Sequence, residues 1–475
     1  MCEGIAEELR GIELGDERVD RRSIQLIETL AANPMASINT SCQGWAETKA
    51  AYRFLDNDLV TPEKILLPHQ DATLGRIQEQ PVVVIVQDTT ELDYTDHPPK
   101  DARCLNKVDR HGFYDHVSMA LTPERLCLGV VDVETFDRSP ESLGKSQERK
   151  GLPIEEKESY RWLRGYRKAN ELAEKCPNTK IISVADRECD IYEIYAEYRD
   201  RQDRQEACAE YVIRAQKEER TTLERDPSAG KNAYRKVYET VADSPLLATK
   251  ILELCETPKR PARDACLEIR AMTVTMKPPS TRSQLEPVTH NVVLVREVNG
   301  PGDDTEVDWL LFTSLPIDSL EAVQKIIDYY RARWTIETYF HVLKSGCCVE
   351  EIQLETVARL KRSLALYRII AWRLMYLTYL NRTVPDLPCT VAFTDSEWKS
   401  VYRVVTKKAL PKTPPRLAEF MRLLAQLGGY NNRPGEPPPG PQVFWVGMRR
   451  MSDFAAAWLA FGPESGKVVP TTAGP

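Results

Sequence analysis

Tyr330-Arg331-Ala332-Arg333-Trp334-Thr335-Ile336-Glu337 lies inside a helical pattern that runs from Ser319 to Lys344. At about 100° per residue, Tyr330, Arg333, Glu337 and Lys344 project within an arc of roughly 60°. Tyr329, Ile336, Phe340 and Leu343 fill the neighbouring arc and are expected to bury against a sheet. Asp318 is the predicted N-cap, with Glu321 three residues on, as in a capping box. A surface ion pair at i, i+4 accounts for Arg333 and Glu337. It leaves Tyr330 and Lys344 unexplained on the same face. The helix therefore presents one acid flanked by two cations and a phenol, beside its apolar anchor.

Two apolar runs upstream each end in an aspartate. Val82-Val83-Val84-Ile85-Val86 is β-branched throughout, the composition of a strand buried on both faces, and Gln87-Asp88-Thr89-Thr90 follows it. Lys180–Ala185 is a second such strand, ending in Asp186-Arg187-Glu188. Tyr114–Leu121 and Cys127–Phe136 read as a hairpin, Glu155–Glu174 as a charged helix, and Tyr211–Ala215 as a further strand. This succession predicts an α/β core. Carboxylates at strand ends of an open sheet meet in one crevice, where they can hold a divalent cation. An aspartate after a buried strand is common, so Asp88 and Asp186 gain weight only together with Glu337.

The chain of 475 residues is long enough for two to four domains. With 42% hydrophobic and 28% charged residues it reads as globular, and no run reaches the roughly 18 apolar residues of a membrane span. Met1–Arg10 is acidic and lacks the apolar segment of a secretory signal. Twelve cysteines without a CxxC pair exclude zinc-finger spacing and predict reduced thiols in a cytoplasm. The net charge of −7 argues mildly against nucleic acid, but 64 basic residues are present, and their placement on a surface matters more than the sum.

The interval Tyr330, two residues, Arg333, three residues, Glu337, six residues, Lys344 reproduces the Tyr-Arg-Glu-Lys signature of bacterial insertion-sequence transposases. Gly15-Asp16-Glu17-Arg18, Ala51-Tyr52-Arg53-Phe54, Asp88-Thr89-Thr90 and Asp186-Arg187-Glu188-Cys189-Asp190-Ile191 agree in order. On these motifs the chain resembles DDE transposases of the insertion-sequence-four group, and within it the transposon-five type, as far as Leu427-Gly428-Gly429. The resemblance implies a ribonuclease-H-like core whose third acid arrives on a late helix after a β insertion. It implies that Asp88, Asp186 and Glu337 hold two Mg2+ or Mn2+ ions, which about 4 Å apart activate the attacking oxygen and stabilise the leaving one. It implies double-stranded DNA partners, namely transposon terminal repeats and target DNA, and a homodimer in the DNA complex of a bacterial, nucleoid-associated protein. In such enzymes one site nicks, forms and opens a hairpin, then joins the 3′ end to target. Tyr330, Arg333 and Lys344 match positions that grip phosphates, and Trp309 matches an aromatic that holds a flipped base. A tryptophan at a strand start is also a usual packing residue. Arg214, after Tyr211-Val212-Ile213, matches a strand arginine. The segments Arg138–Pro153 and Pro434–Pro441 depart from the family pattern.

The resulting division is residues 1–69 as a helical DNA-end-binding domain, 70–375 as the catalytic domain with its β insertion at about 217–309, and 376–475 as a helical dimerisation region. Helical spacing covers Ile12–Leu30 and Glu47–Leu55 in the first part. There Arg18, Arg21 and Arg22 share one face, either simply solvated or contacting DNA. In the last part Phe444, Met448, Met451, Ala455 and Trp458 form a stripe that packs on its own domain or on a second copy. Two other readings stand beside the transposase: a catalytically silent end-binding regulator, and a metal-dependent nuclease without strand transfer.

Overall fold

In a computed structural model of the chain, the β-branched run opens strand β1 (Val82–Asp93), and alternation within it explains the layers. Val84 and Val86 face one hydrophobic core, Val83 and Ile85 the other, and all four are fully buried. A strand between two cores needs apolar side chains on both faces, hence the unbroken run. The structure describes residues 4–42, 44–138, 152–216, 220–226, 228, 230, 233–254, 256, 261–303, 305–433, 435–436 and 439–463. Most of the divergent segment Arg138–Pro153, and Pro434 with Pro437 and Pro438, lie outside them.

Strands β2 (Gly112–Leu121) and β3 (Cys127–Phe136) form an antiparallel hairpin beside β1. On its other side β4 (Lys180–Ala185) and β5 (Glu210–Arg214) run parallel to it. The order β3-β2-β1-β4-β5, with β2 alone reversed, is the ribonuclease-H-like arrangement. Between β5 and the late helices come β6 (Thr221–Arg225), β7 (Tyr234–Lys236), β8 (Ala248–Leu254), β9 (Arg263–Met276), β10 (Val288–Glu297) and β11 (Asp308–Thr313). β11 pairs with β5, so the β-rich region continues the core sheet through β10 and β9.

Four helices precede the sheet: α1 (Glu17–Ala32), α2 (Ile38–Ser41), α3 (Trp45–Leu55) and α4 (Pro62–Gln78). Helices α5 (Tyr160–Lys175) and α6 (Tyr192–Asp203) cover the Val83 face, while α7 (Val237–Ala242) interrupts the added strands. The Val86 face carries α8 (Leu320–Ala332), α9 (Trp334–His341) and α10 (Val357–Thr383), followed by α11 (Asp395–Thr406), α12 (Leu417–Leu427) and α13 (Pro441–Phe461). α10 is the common support: it touches α1, α3, α4, α12, α13 and β3. Two of its half-buried arginines are occupied, Arg359 by Asp56 at 2.8 Å and Arg362 by Asp58 at 3.2 Å. Positions 69/70 and 375/376, the boundaries set from sequence, fall inside α4 and α10.

Several expectations change. α1 begins at Glu17 rather than Ile12, because Gly15 takes φ +95° and Asp16 caps the helix, accepting from Arg18 N at 2.8 Å. The late helix is capped by Ser319, which accepts from Ala322 N, and not by Asp318. It is also not continuous: it divides at Arg333 and finishes in a π-turn over Val342–Gly346. In α13, Phe444, Met451 and Ala455 are buried and Met448 and Trp458 half-buried, with α11 and α12 of the same chain against the helix. That stripe is an intramolecular seam, and the large exposed apolar side chains of α13 are instead Leu459 and Phe461. Among the described residues, no helix is long and apolar enough to cross a membrane.

Candidate active site

The parallel pairing of β1 with β4 stops at Val86 and Val184. Asp88 and Asp186 each come two residues later along the chain, so both stand at the carboxyl end of the paired region, where a crevice opens. Asp88 does not terminate its strand as expected: β1 runs on to Asp93 because β2 continues to pair with it. Asp186 is the first residue past β4, and its Oδ1 accepts from Arg187 N at 2.7 Å, turning the chain into a short helical turn.

Arg333, at the junction of α8 and α9, gathers the acids. Its Nη1 donates to Asp88 Oδ2 at 2.8 Å and its Nη2 to Glu337 Oε1 at 2.7 Å, while Nη2 stands 3.9 Å from Asp186 Oδ2. The guanidinium is 5% exposed, whereas the side chains of Asp88, Asp186 and Glu337 are 23%, 34% and 44% exposed. Arg214 adds a second cation, with Nη1 3.7 Å from Asp186 Oδ1.

Burial pushes the Asp88 carboxyl up to about 6. The charges of Glu337 and Asp186 push the same way, and Arg333 and the Thr89 N–H oppose them. Burial also works against the Arg333 charge, but Tyr330 and the three carboxylates more than offset it and hold that pKa above its ordinary value. Burial, then the charge of Asp186, raises the Tyr330 phenol.

Three carboxylates facing fewer cations form a hard-oxygen donor set suited to a divalent ion. As placed, they are spread around the guanidinium. Among the described residues no three Asp, Glu, His or Cys side chains form a ready metal cluster. A cation held by Asp88 and Glu337 therefore competes with Arg333 for the same oxygens.

The remaining predicted residues divide between the site and its surroundings. Tyr330 is buried, with its hydroxyl 3.5 Å from Asp186 Oδ1, and Trp309 lies edge-on to its ring at 5.2 Å. Trp309 is half-buried on β11, so packing uses part of it and leaves part accessible. Arg214 also donates to the Asp308 carbonyl at 3.3 Å. Lys344 lies in the π-turn and pairs with Glu350 Oε1 at 3.3 Å.

At the other end of the chain, Arg18 and Arg22 line a groove with Lys49, Arg53 and Phe54. Arg21 points elsewhere, its Nε donating to the Glu17 carbonyl. Sequence reasoning missed Lys49 and Arg53, although their i, i+4 spacing marks one face of α3. It also missed Arg161 and His116, which contact Thr89 beside Asp88.

Three family models match the chain in succession: Transposase DNA-binding over residues 1–60, Transposase DDE domain over 167–374, and Transposase Tn5 dimerisation domain over 369–460. The DDE match contains Asp186 and Glu337; Asp88 precedes it. A cryo-EM structure of the piggyBac transposase synaptic complex with hairpin DNA is similar at 10% identity, covering 99% of this chain and 80% of that one, with a TM-score of 0.38. The three segments assign DNA binding, divalent-metal-dependent cutting and dimer formation to consecutive parts of one polypeptide. The chain thus belongs to the Tn5-like DDE transposases, metal-dependent endonucleases and transferases that bind transposon ends and cut them.

Proposed function

We propose that Asp88, Asp186 and Glu337 are the catalytic acids of a cut-and-paste reaction and hold two Mg2+ or Mn2+ ions. The observation that carries this reading is the meeting of three carboxylates around one guanidinium at the carboxyl end of paired parallel strands. Those three side chains would hold the cations, which would supply activation of the attacking oxygen and stabilisation of the leaving oxygen of an in-line displacement. The chain's own residues hold the DNA. Arg333, released from the acids, and Tyr330 face the phosphate at the cut, Lys344 grips a neighbouring phosphate, Arg214 steadies the Asp186 side, and Trp309 stacks a displaced base.

In the first step water attacks the phosphorus at the transposon end and a 3′-hydroxyl leaves. In the last, that hydroxyl attacks a phosphodiester of target DNA and a new 3′-hydroxyl leaves. Residues 1–69 grip the terminal repeat, with Arg18, Arg21 and Arg22 contributing to the basic surface. Residues 70–375 cut, and residues 376–475 pair two chains on two ends.

The test uses full-length protein and duplexes carrying the element's terminal repeat. Asp88→Asn, Asp186→Asn and Glu337→Gln should each lower nicking and joining at least about a hundredfold, a loss of the size seen when charge-stabilising groups are removed. End binding in a gel shift should survive. Any one variant cutting near the parent rate removes that residue from the triad. Mg2+ or Mn2+ should support cutting, and Ca2+, which prefers larger and looser coordination, should not.

A further inference from the structure

Arg161 touches none of the three acids, yet it binds the flanks of two. It is buried in the first turn of α5, and its guanidinium bonds in three directions. Nε donates to Thr89 Oγ1 at 3.1 Å, Nη1 to the Glu158 carbonyl at 2.7 Å, and Nη2 to Glu188 Oε2 at 2.7 Å. Thr89 follows Asp88 on β1, and Glu188 lies two residues past Asp186 in the turn that Asp186 caps. His116, cross-strand partner of Thr89 on β2, stands with Nδ1 2.9 Å from Thr89 Oγ1. Thr89 Oγ1 thus bridges the Arg161 guanidinium and the buried His116 ring.

Packing fixes the strut. Phe136 lies under the guanidinium, 5.2 Å from ring centroid to Cζ, and Trp162 stands edge-on to His116 at 4.7 Å. One turn along α5 is Gly165, where an added Cβ would lie 2.1 Å from Gln87 Oε1. A glycine there lets the helix seat directly on β1, and residues i and i+4 share a helix face, so Arg161 is delivered to Thr89. Alternation along β1 puts Asp88 on the opposite face of the sheet from Thr89. Arg161 therefore acts from behind the acids. It acts where support is needed, because the parallel pairing between β1 and β4 has stopped at Val86 and Val184.

We propose that Arg161, with Thr89, His116 and Glu188, is a positioning residue that sets the separation of Asp88 and Asp186 and thereby the affinity of the site for its divalent cation. This rests on the assignment of Asp88 and Asp186 as ligands. Residues that orient metal ligands typically change metal affinity about 10- to 100-fold when removed.

The experiment titrates Mn2+ into full-length, DNA-free protein by calorimetry and electron paramagnetic resonance. It also records the Mg2+ concentration for half-maximal nicking, and thermal melting. Arg161→Gln should weaken Mn2+ binding about tenfold or more and raise the Mg2+ requirement in step, with maximal nicking largely recovered at saturating Mg2+. Thr89→Val, which keeps the shape and removes the hydroxyl, should shift both in the same direction and carries the test if Arg161→Gln does not fold. Arg164→Gln, which breaks ion pairs to Asp132 and Glu134 one turn on, should leave Mn2+ affinity unchanged. A folded Arg161→Gln or Thr89→Val protein with parental Mn2+ affinity and Mg2+ requirement overturns the proposal. If Asp88→Asn also leaves Mn2+ affinity unchanged, the ligand assignment is what fails.

Discussion

Arg333 and Arg368 both meet aspartates on the helix-covered face that carries α10, and only one of the two groupings is balanced. Arg368 sits opposite Asp115 with Nη2–Oδ1 at 2.6 Å and Nε–Oδ2 at 3.0 Å, and both side chains are sealed at 1% and 0% exposure. Thr135 bonds to both partners, closing the network at one cation for one anion. Arg333 faces three carboxylates that stay partly open to solvent, and counting Arg214 leaves two cations for three anions. A closed, neutral pair specifies packing, since it offers nothing to a ligand. An open grouping short of positive charge invites a cation, and its own arginine is the part that can be displaced. The difference lies in charge balance and exposure, since both use the same hydrogen-bond chemistry.

Breaking the closed pair should have the largest effect on stability. Asp115→Asn leaves the buried Arg368 charge without its anion and should cost about 3–5 kcal/mol of unfolding free energy, read from the urea midpoint of metal-free protein. A loss below about 1 kcal/mol would mean that Arg368 is compensated from elsewhere, and the contrast with Arg333 would lapse.

Glu8 offers an intermediate case. Burial alone would raise its carboxyl, but the bonds from His69 and Arg76 prevail and hold it at about 2. His69 Nε2 accepts from Val130 N, so its Nδ1 carries the hydrogen directed at Glu8, and burial keeps the ring's own pKa low. A depressed carboxylate pKa contributes stability that is complete above the ordinary value of 4.5 and is lost as pH falls towards 2. The gap between parent and Glu8→Gln should therefore be on the order of 3 kcal/mol at pH 7 and clearly smaller at pH 3. An equal gap at both pH values would show that Glu8 is not held ionised.

These contrasts mark how far sequence could be read. The strands around Asp88 and Asp186 were legible because a β-branched run ending in polar residues has few alternatives, and the face of Tyr330, Arg333 and Glu337 followed from helical spacing. The break at Arg333 and the π-turn that carries Lys344 to Glu350 were not, since local spacing assumes an unbroken helix. The stripe in α13 was ambiguous for a different reason: apolar periodicity demands a partner surface without saying whose, and α11 and α12 supply it here. Arg161 was invisible because its bonds reach 72 residues back to Thr89 and 27 forward to Glu188. Nothing in a local window links an arginine to such distant partners.

The smallest expected effect has the opposite sign and separates the two aspartates most directly. Asp88 is raised to about 6, first by burial and then by its acidic neighbours. A carboxyl whose folded pKa lies above its ordinary 3.8 detracts from stability as pH rises through that window, so at pH 7 its ionisation weakens the fold. In EDTA, Asp88→Asn should therefore stabilise the chain at pH 7, by on the order of 1 kcal/mol once the weakened bond to Arg333 is set against the relief. The gain should shrink as pH falls through that window and vanish only below about 3.8, where the unfolded carboxyl is protonated as well. Mg2+ should then reverse the ranking, because a ligand that binds only the folded parent adds about 2.7 kcal/mol at a hundred times its Kd. The variant, with one ligand removed, should gain less. If Asp88→Asn instead destabilises the metal-free chain as Asp115→Asn is expected to, the Arg333 cluster is a second closed pair, and charge deficit is not what distinguishes the active site.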